Sequence, residues 1–292
     1  TQSRSSAASD VYKRQFHHQA VLQLFPNREI EIIACDSFEK VTQSVSNFTA
    51  DVGVIALENS IAGSILPNYN LIDAGNFKIL DEAFLTIDMY VMALEGETIH
   101  TIDEIHSHPV ALQQCKNYLM RLQPNCKIIE GKDTASEARR IKENMLTGVA
   151  AIAGKQVAEK YGLAILEGSV QNIKENKTRF VVIGRETSEV KEQVDKASMK
   201  FQLDHSVGSL SNVLQMLSTF DISLTKIQSL PIIGTPWRYA FFIDVLFKDY
   251  QLFQEVTSVL EKAVEEFKIL GVYKHNIENE PSAMNNILTH EE

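Results

Sequence analysis

Three short strings place hydroxyl and amide side chains where an apolar run gives way to a helical pattern. They are Glu58-Asn59-Ser60 after VGVIAL, Ser107-His108-Pro109 after EI, and Asp133-Thr134 after KIIEG. In parallel sheets, ligands sit at the carboxyl ends of strands. A helix N-terminus there offers unpaired N–H groups and a partial positive charge. Several such ends facing one cleft would hold a small polyanion with little help from Lys or Arg. The same residue types are also the ordinary N-caps of helices, so each string alone reads equally well as a cap. A further string, Asn176-Lys177-Thr178-Arg179-Phe180, precedes the last apolar run of the first half. A Thr-Arg pair at a strand edge could set a hydroxyl on a substrate and a rigid guanidinium fork on a carboxylate. A solvated strand start carries the same residues.

The elements that must position these groups follow from apolar periodicity. From Phe16 to Gly184, short apolar runs alternate with helical patterns, which predicts a mostly parallel, doubly wound α/β sheet. HHQAVLQLF reads as a helix stopped by Pro26, EIEIIAC as a strand, SFEKVTQSVSNF as an amphipathic helix, and VGVIALE as a strand buried on both faces. IAGSILPNYNLIDA reads as helix around Pro67, FKILDEAFLTIDMYVMAL as two strands, and PVALQQCKNYLMRL as one helix with Pro at its first turn. Thr134 and Glu137 form a T-x-x-E capping box. GVAAIAG and RFVVIG read as strands, with KQVAEKYG a helix between them. The long crossing stretch from Phe84 to Leu94 implies two lobes joined by extended segments. After a charged, aperiodic linker (RETSEVKEQVDK), the order is β-α-β-β-α-β, a ferredoxin-like split unit. Its second helix, starting at Tyr250, is read as running to a Gly271 cap, with VYKH as the closing strand.

Bulk properties narrow the function. A net charge of −10 argues against a general nucleic-acid or anionic-membrane binder. Three scattered cysteines, Cys35, Cys115 and Cys126, make neither a disulfide framework nor a zinc knuckle and fit a reducing cytoplasm. No run reaches the roughly 18 apolar residues of a membrane span. Gly-rich phosphate loops, G-x-S-x-G and H-E-x-x-H are all missing from the sequence. The His17-His18 pair and the set His100, His106 and His108 do not match zinc spacings, so no metal is expected. Residues 1–15 are Ser-rich and aperiodic, and SAASDVYKRQ resembles translated adaptor sequence, so they are read as a non-native leader.

The string Val54 to Ser64 (VIALENSIAGS) resembles the signature of the prephenate dehydratase family. Ser107-His108-Pro109 with Ala111-Leu112, then Asp133-Thr134-Ala135, Ala150-Ala151-Ile152 and Thr178-Arg179-Phe180 are similar to further family motifs, in family order. The C-terminal unit resembles an ACT domain. Gly208-Ser209-Leu210 stands at its Gly-Ala-Leu, and Gln228-Ser229-Leu230-Pro231 at its Glu-Ser-Arg-Pro. The departures are Gln228 for Glu, Leu230 for Arg, and Val110 for the Gln after Ser-His-Pro. The family also begins with a strand and Gly turn, of which only Phe16-His17 onward is recognisable here.

The resemblance implies a two-lobed catalytic domain, periplasmic-binding-protein-like, over residues 16–184. A linker at 185–197, an ACT domain at 198–277 and a tail at 278–292 would follow. It implies a cytoplasmic enzyme of phenylalanine biosynthesis that converts prephenate to phenylpyruvate without a cofactor. L-Phenylalanine would be its effector, and the chain a homodimer or homotetramer. Arogenate dehydratase, or a non-catalytic binding protein, is the alternative. Thr178, Glu58 and Asn59 would be catalytic: Thr178 would assist departure of the ring hydroxyl, with Glu58 either a proton source behind it or a residue that orders the loop. Ser60, Ser107, Thr134, Arg179 and Phe180 would contact substrate, Arg179 either as a clamp or as support. Gly208, Ser209, Leu210, Gln228 and Ser229 would hold the effector.

Overall fold

The computed structural model describes residues 3–8, 11–122, 124–185, 193–204, 206–232 and 234–276, with side chains from Phe16 onward. Most of the expected linker (186–192) and all of the expected tail (278–292) lie outside the described residues.

The first lobe holds β1 (Ser3–Ala8), α1 (Val11–Leu24), β2 (Ile30–Cys35), α2 (Phe38–Ser46), β3 (Val52–Asn59), β4 (Gly63–Ser64), α3 (Leu66–Ala74) and β5 (Lys78–Thr86). The chain then enters a second lobe. This comprises β6 (Tyr90–Ala93), β7 (Glu104–Ser107), α4 (Pro109–Gln114), α5 (Lys116–Leu122), β8 (Lys127–Glu130), α6 (Thr134–Glu143), β9 (Val149–Ala153), α7 (Lys155–Tyr161) and β10 (Ala164–Glu167). It returns to the first lobe as β11 (Lys177–Gly184). The two sheets run β2-β1-β3-β11-β5 and β10-β6-β9-β7-β8. Neither is purely parallel. The returning strand β11 lies antiparallel between β3 and β5, and β6 lies antiparallel to both β9 and β10. The mostly parallel strand order expected for the two lobes gives way to two mixed sheets, because the crossing segments enter each lobe against its local strand direction.

Two extended segments join the lobes and are tied to each other. Ile87 N–H donates to Asn176 O at 2.7 Å and Val170 N–H to Met89 O at 2.9 Å. The buried Gln171 side chain bridges the same pair of segments, accepting from Met89 N and donating to Asp88.

The polar segment Ser3–Ala8 is drawn into the first sheet, parallel to β2 on one side and β3 on the other. A vacancy there would leave two strand edges with unpaired backbone groups, and a strand needs only its backbone to satisfy them.

Four local expectations change. Residues 61–65 make a tight return through β4, and α3 starts at Leu66 with Pro67 in its first turn. The helix expected at 109–122 is broken at Cys115. The cap of α6 is Asp133, which accepts from Ser136 N at 2.6 Å, so Thr134 becomes the first helical residue. In the C-terminal unit, the second helix ends at Ala263 and Gly271 lies inside a strand.

That unit consists of β12 (Lys196–Gln202), α8 (Ser209–Thr219), β13 (Ser223–Pro231), β14 (Tyr239–Leu246), α9 (Tyr250–Ala263) and β15 (Glu266–Tyr273). Its antiparallel order, β13-β14-β12-β15, is that of a split β-α-β-β-α-β unit. Alternation along β12 explains both faces. Ala197, Met199 and Phe201 pack under α8 and α9 with Val213, Leu217, Phe253 and Val256. Lys196, Ser198 and Lys200 face the first lobe, all buried. Leu230, Phe242, Leu270 and Tyr273 share a core with Tyr69, Ile72, Ile79 and Val181 of the first lobe. The two units pack backbone against backbone at Gly271, where a Cβ would stand 2.1 Å from Ile79 O. Gly271→Val should therefore force the units apart. The expected result is a loss of roughly 1–3 kcal/mol of unfolding free energy, measured by urea titration.

Candidate active site

An extra residue on β3 arranges the site. Opposite β11, Glu58 pairs with Arg179 and Asn59 with Thr178, yet Phe180 pairs with Ala56, so Leu57 has no partner. Such a bulge re-aims the side chains beyond it. Ala56 and Phe180 lie in the core shared with the second lobe, whereas Leu57 and Val181 lie in the core shared with the C-terminal unit. Directly paired residues share a face. Asn59 and Thr178 therefore project on the Phe180 side, while Glu58 and Arg179 project toward the C-terminal unit.

The Asn59 amide is fixed from both ends. Its Oδ1 accepts from Ile61 N at 3.1 Å and Ala62 N at 2.9 Å, so its Nδ2 must face β11. There it donates to Thr178 Oγ1 at 2.9 Å and to Asn176 Oδ1 at 2.7 Å. Thr178 Oγ1 thus accepts a hydrogen bond from below, which leaves its own proton to donate elsewhere. The same logic fixes Asn176, whose buried Nδ2 has no partner among the described residues. Ser60 is committed to the backbone: its Oγ donates to Glu175 O at 3.1 Å and accepts from Lys177 N at 2.9 Å. Ser60 therefore clamps the β3 turn to the strand that carries Thr178.

The second lobe presents its groups at the carboxyl ends of β7 and β8. Ser107 is fully buried and donates to Ile152 O at 2.6 Å, so its hydroxyl retains acceptor capacity only. His108 Nδ1 caps α4 by accepting from Val110 N at 3.2 Å. The displaced cap of α6 leaves Thr134 Oγ1 buried without a hydrogen-bond partner among the described residues. Glu137, expected to close a capping box, instead accepts from Arg140 Nε at 3.1 Å and lies 3.5 Å from His106 Nδ1.

Three expected site residues are used otherwise. Arg179 is buried with its donors committed: Nε to Glu82 at 2.7 Å, Nη1 to Asp244 at 2.5 Å, and Nη2 to the Tyr273 hydroxyl at 2.8 Å. The side-chain geometry makes it a support between units and leaves it no fork for a substrate carboxylate. Phe180 is a core residue, with the His17 ring edge-on at 4.8 Å. Glu58 faces away from Thr178 and pairs with Lys226 Nζ of β13 at 2.5 Å. The expected effector residues lie on the C-terminal unit. Gly208 caps α8 at φ +88°, Ser209 Oγ donates to Asp204 O at 3.2 Å, and Leu210 packs against the helix core. Gln228 donates to Ser229 O on β13.

Sequence reasoning missed the ion cluster around Arg179. Two carboxylates, Glu82 and Asp244, meet two cations, Arg179 and Lys196, all of them buried. Lys196 Nζ donates to both Glu82 oxygens at 2.8 and 3.0 Å, and His275 Nδ1 lies 3.1 Å from Oε1. Burial alone would raise the Glu82 carboxyl. The charges of Arg179 and Lys196 outweigh burial and hold it far below the ordinary range. The alternation of KASMKFQ, with lysines on its polar face, was the available signal.

Among the described residues, no cluster of His, Cys, Asp and Glu could hold a metal ion, and no helix is long and apolar enough to cross a membrane. The chain is thus a two-lobed α/β protein with ligand-type groups at its strand ends and a fused split β-α-β-β-α-β unit. The family model for prephenate dehydratase matches residues 13–188, and the chain belongs to that family. A bifunctional chorismate mutase/prephenate dehydratase of Enterobacter agglomerans is 31% identical over 241 residues, covering 82% of this chain and 62% of the relative. The chain therefore spans under two thirds of that protein's length. An Arabidopsis thaliana protein, arogenate dehydratase/prephenate dehydratase 2, chloroplastic, is 30% identical over 93% of this chain and 73% of its own. The crystal structure of prephenate dehydratase from Arthrobacter aurescens, in complex with L-Phe, shares the fold. Its TM-score is 0.80 at 23% identity, over 96% of this chain and 92% of that one.

The buried cluster generates a pH prediction. A Glu82 carboxyl held below its unfolded value of 4.5 contributes stability that is fully present above that pH and lost as pH falls below it. Thermal melts should show a steep acid limb below about pH 4.5. Glu82→Gln should flatten that limb and cost about 3–5 kcal/mol near neutrality, because it strands buried cations. A mutant with the parent's acid limb would refute the assignment.

Proposed function

We propose that this chain is a prephenate dehydratase, converting prephenate to phenylpyruvate, carbon dioxide and water. The observation that carries the reading is the Asn59–Thr178 hydrogen bond, which leaves a threonine proton free at the carboxyl end of β3. Loss of the ring carboxylate as CO2 gives its bonding pair to the ring. The ring then expels hydroxide from the opposite carbon and becomes aromatic. Aromatisation supplies the driving force, so the protein needs to bind, orient and ease departure of the hydroxyl. Thr178 Oγ–H hydrogen-bonds the leaving oxygen, which takes its proton from solvent. Asn59 fixes the rotamer of Thr178, and Asn176 holds the outer side of the Asn59 amide. Thr134 meets a substrate oxygen from the second lobe, while Ser107, whose proton is held by Ile152 O, steadies the end of β7 instead of donating to substrate. Arg179 and Glu58 support this arrangement from the opposite face.

The C-terminal unit is an ACT-type sensor of L-phenylalanine, using Gly208, Ser209, Leu210, Gln228 and Ser229. Supporting this are its strand order and the L-Phe bound to the Arthrobacter protein. Leu230, where the family motif has Arg, is buried in the contact with the first lobe. Its departure from the motif therefore alters interface packing together with any effector contact. Unit pairing into a homodimer or homotetramer, in a cytoplasmic setting, completes the reading. The alternative reading is arogenate dehydratase, whose substrate has an amine in place of the keto group, and it is favoured by the Arabidopsis relative's double name.

The test is ultraviolet assay of phenylpyruvate from prephenate, with arogenate assayed in parallel for phenylalanine. Thr178→Ala should lower kcat by about 10²–10³-fold, whereas Thr178→Ser, which keeps the hydroxyl, should retain most turnover. Near-parental turnover by Thr178→Ala would sink the mechanism. A folded parent inactive on both substrates would favour a non-catalytic binding protein.

A further inference from the structure

Glu58, Arg179 and Phe84 lie side by side across β3, β11 and β5. Lys226, Asp244, Ser198 and Gly271 lie side by side across β13, β14, β12 and β15. These rows face each other, Lys226 meeting Glu58 and Asp244 meeting Arg179. The two contacts differ in kind. The Arg179 contact is sealed, charge-balanced and joined to Ser198 and Tyr273. The Lys226 contact sits at the rim, because the Glu58 side chain is 37% exposed while that of Lys226 is 12% exposed. A second bulge places it. Thr225 is the unpaired residue of β13, and its hydroxyl donates to Asp244 O at 3.2 Å. The groups facing the Lys226 ammonium are Glu58 from β3, the Tyr69 ring from α3 at 5.6 Å, and the charges of Asp244 and Arg179.

Glu58 immediately precedes Asn59 and follows the unpaired Leu57. β13 thus grips the chain at the bulge that aims Asn59. We propose that Lys226 is a positioning residue for the Asn59–Thr178 pair. It acts through Glu58, and it is the contact through which ligand occupancy of the C-terminal sheet reaches the active site. Gln228 and Ser229 stand two and three residues further along the same strand, so a displacement of β13 by a bound ligand moves Lys226 with it. The regulatory half of this inference rests on the dehydratase reading and on L-phenylalanine as effector.

The experiment measures prephenate turnover against L-phenylalanine for the full chain, Lys226→Met, Lys226→Arg and Glu58→Gln, with amide hydrogen exchange at Ile61 and Ala62. Those amides bind Asn59 Oδ1 and so report on the bulge. Lys226→Met should lower kcat with little change in KM. It should also raise the L-phenylalanine concentration for half-inhibition by about tenfold and speed exchange at both amides. Lys226→Arg should restore all three. Glu58→Gln should reproduce Lys226→Met, and the double variant should add nothing, since both remove one contact. A Lys226→Met protein with parental kinetics, inhibition and exchange overturns the proposal. If the parent ignores L-phenylalanine, the sensor reading fails by itself. The positioning role is then decided by kcat and exchange, where unchanged values would refute it.

Discussion

The unpaired Leu57 on β3 decides which way the chemistry faces. Side chains alternate along a strand, so one extra residue exchanges the faces of everything beyond it. Without the bulge, Glu58 would share a face with Ala56, and Asn59 would point at the C-terminal unit. With it, neighbouring residues on the same two strands serve different ends. Asn59 and Thr178 go to the cleft, and Glu58 and Arg179 go to the interface. The fused unit is therefore attached to the reverse side of the strand pair that carries the proposed catalytic groups.

The attachment is ionic at its centre and apolar around it. Burying charges is expensive, and a buried ion pair is seldom more stable than a hydrophobic replacement of equal shape. It does specify geometry strictly, because a small shift strands a charge. At this interface Glu82 is contacted by Arg179, Lys196 and His275, and Asp244 by Arg179 and Ser198. At the flank, Asp73 receives Lys200 at 2.7 Å and Lys268 at 3.1 Å. The surrounding apolar contacts supply adhesion, and the ions admit one docking register.

Much of this was legible in the sequence. Apolar runs and turn residues located most strands and helices, and the β-α-β-β-α-β order of the C-terminal unit followed directly. The strings at 58–60, 107–109 and 133–134 lie at strand ends as read. What failed were matters of one residue. The bulge at Leu57 leaves no compositional trace, so the sequence leaves open whether Glu58 and Arg179 meet substrate or support the fold. Asp133 outcompeted Thr134 as a cap because its carboxylate reaches the Ser136 amide. The span 250–271 has apolar residues at both helical and alternating spacings, and only the extended backbone at Val264 separates helix from strand. Nothing near Lys196 and Lys200 in the chain marks them as paired, since their partners, Glu82 and Asp73, are distant in sequence.

The pairing of Ile87 N–H with Asn176 O joins the two crossing segments beside Asn59 and Thr178. In mechanical terms this is the fulcrum of the two lobes. Points near a fulcrum hardly travel when the arms rotate, while points far along an arm sweep widely. Under a rotation of the lobes the Asn59–Thr178 pair would therefore keep its geometry, and Thr134 and Ser107 would be carried with the second lobe. On the proposed dehydratase reading, a substrate held at this join would meet Thr134 only at one angle between the lobes, while the threonine donor would be set at every angle.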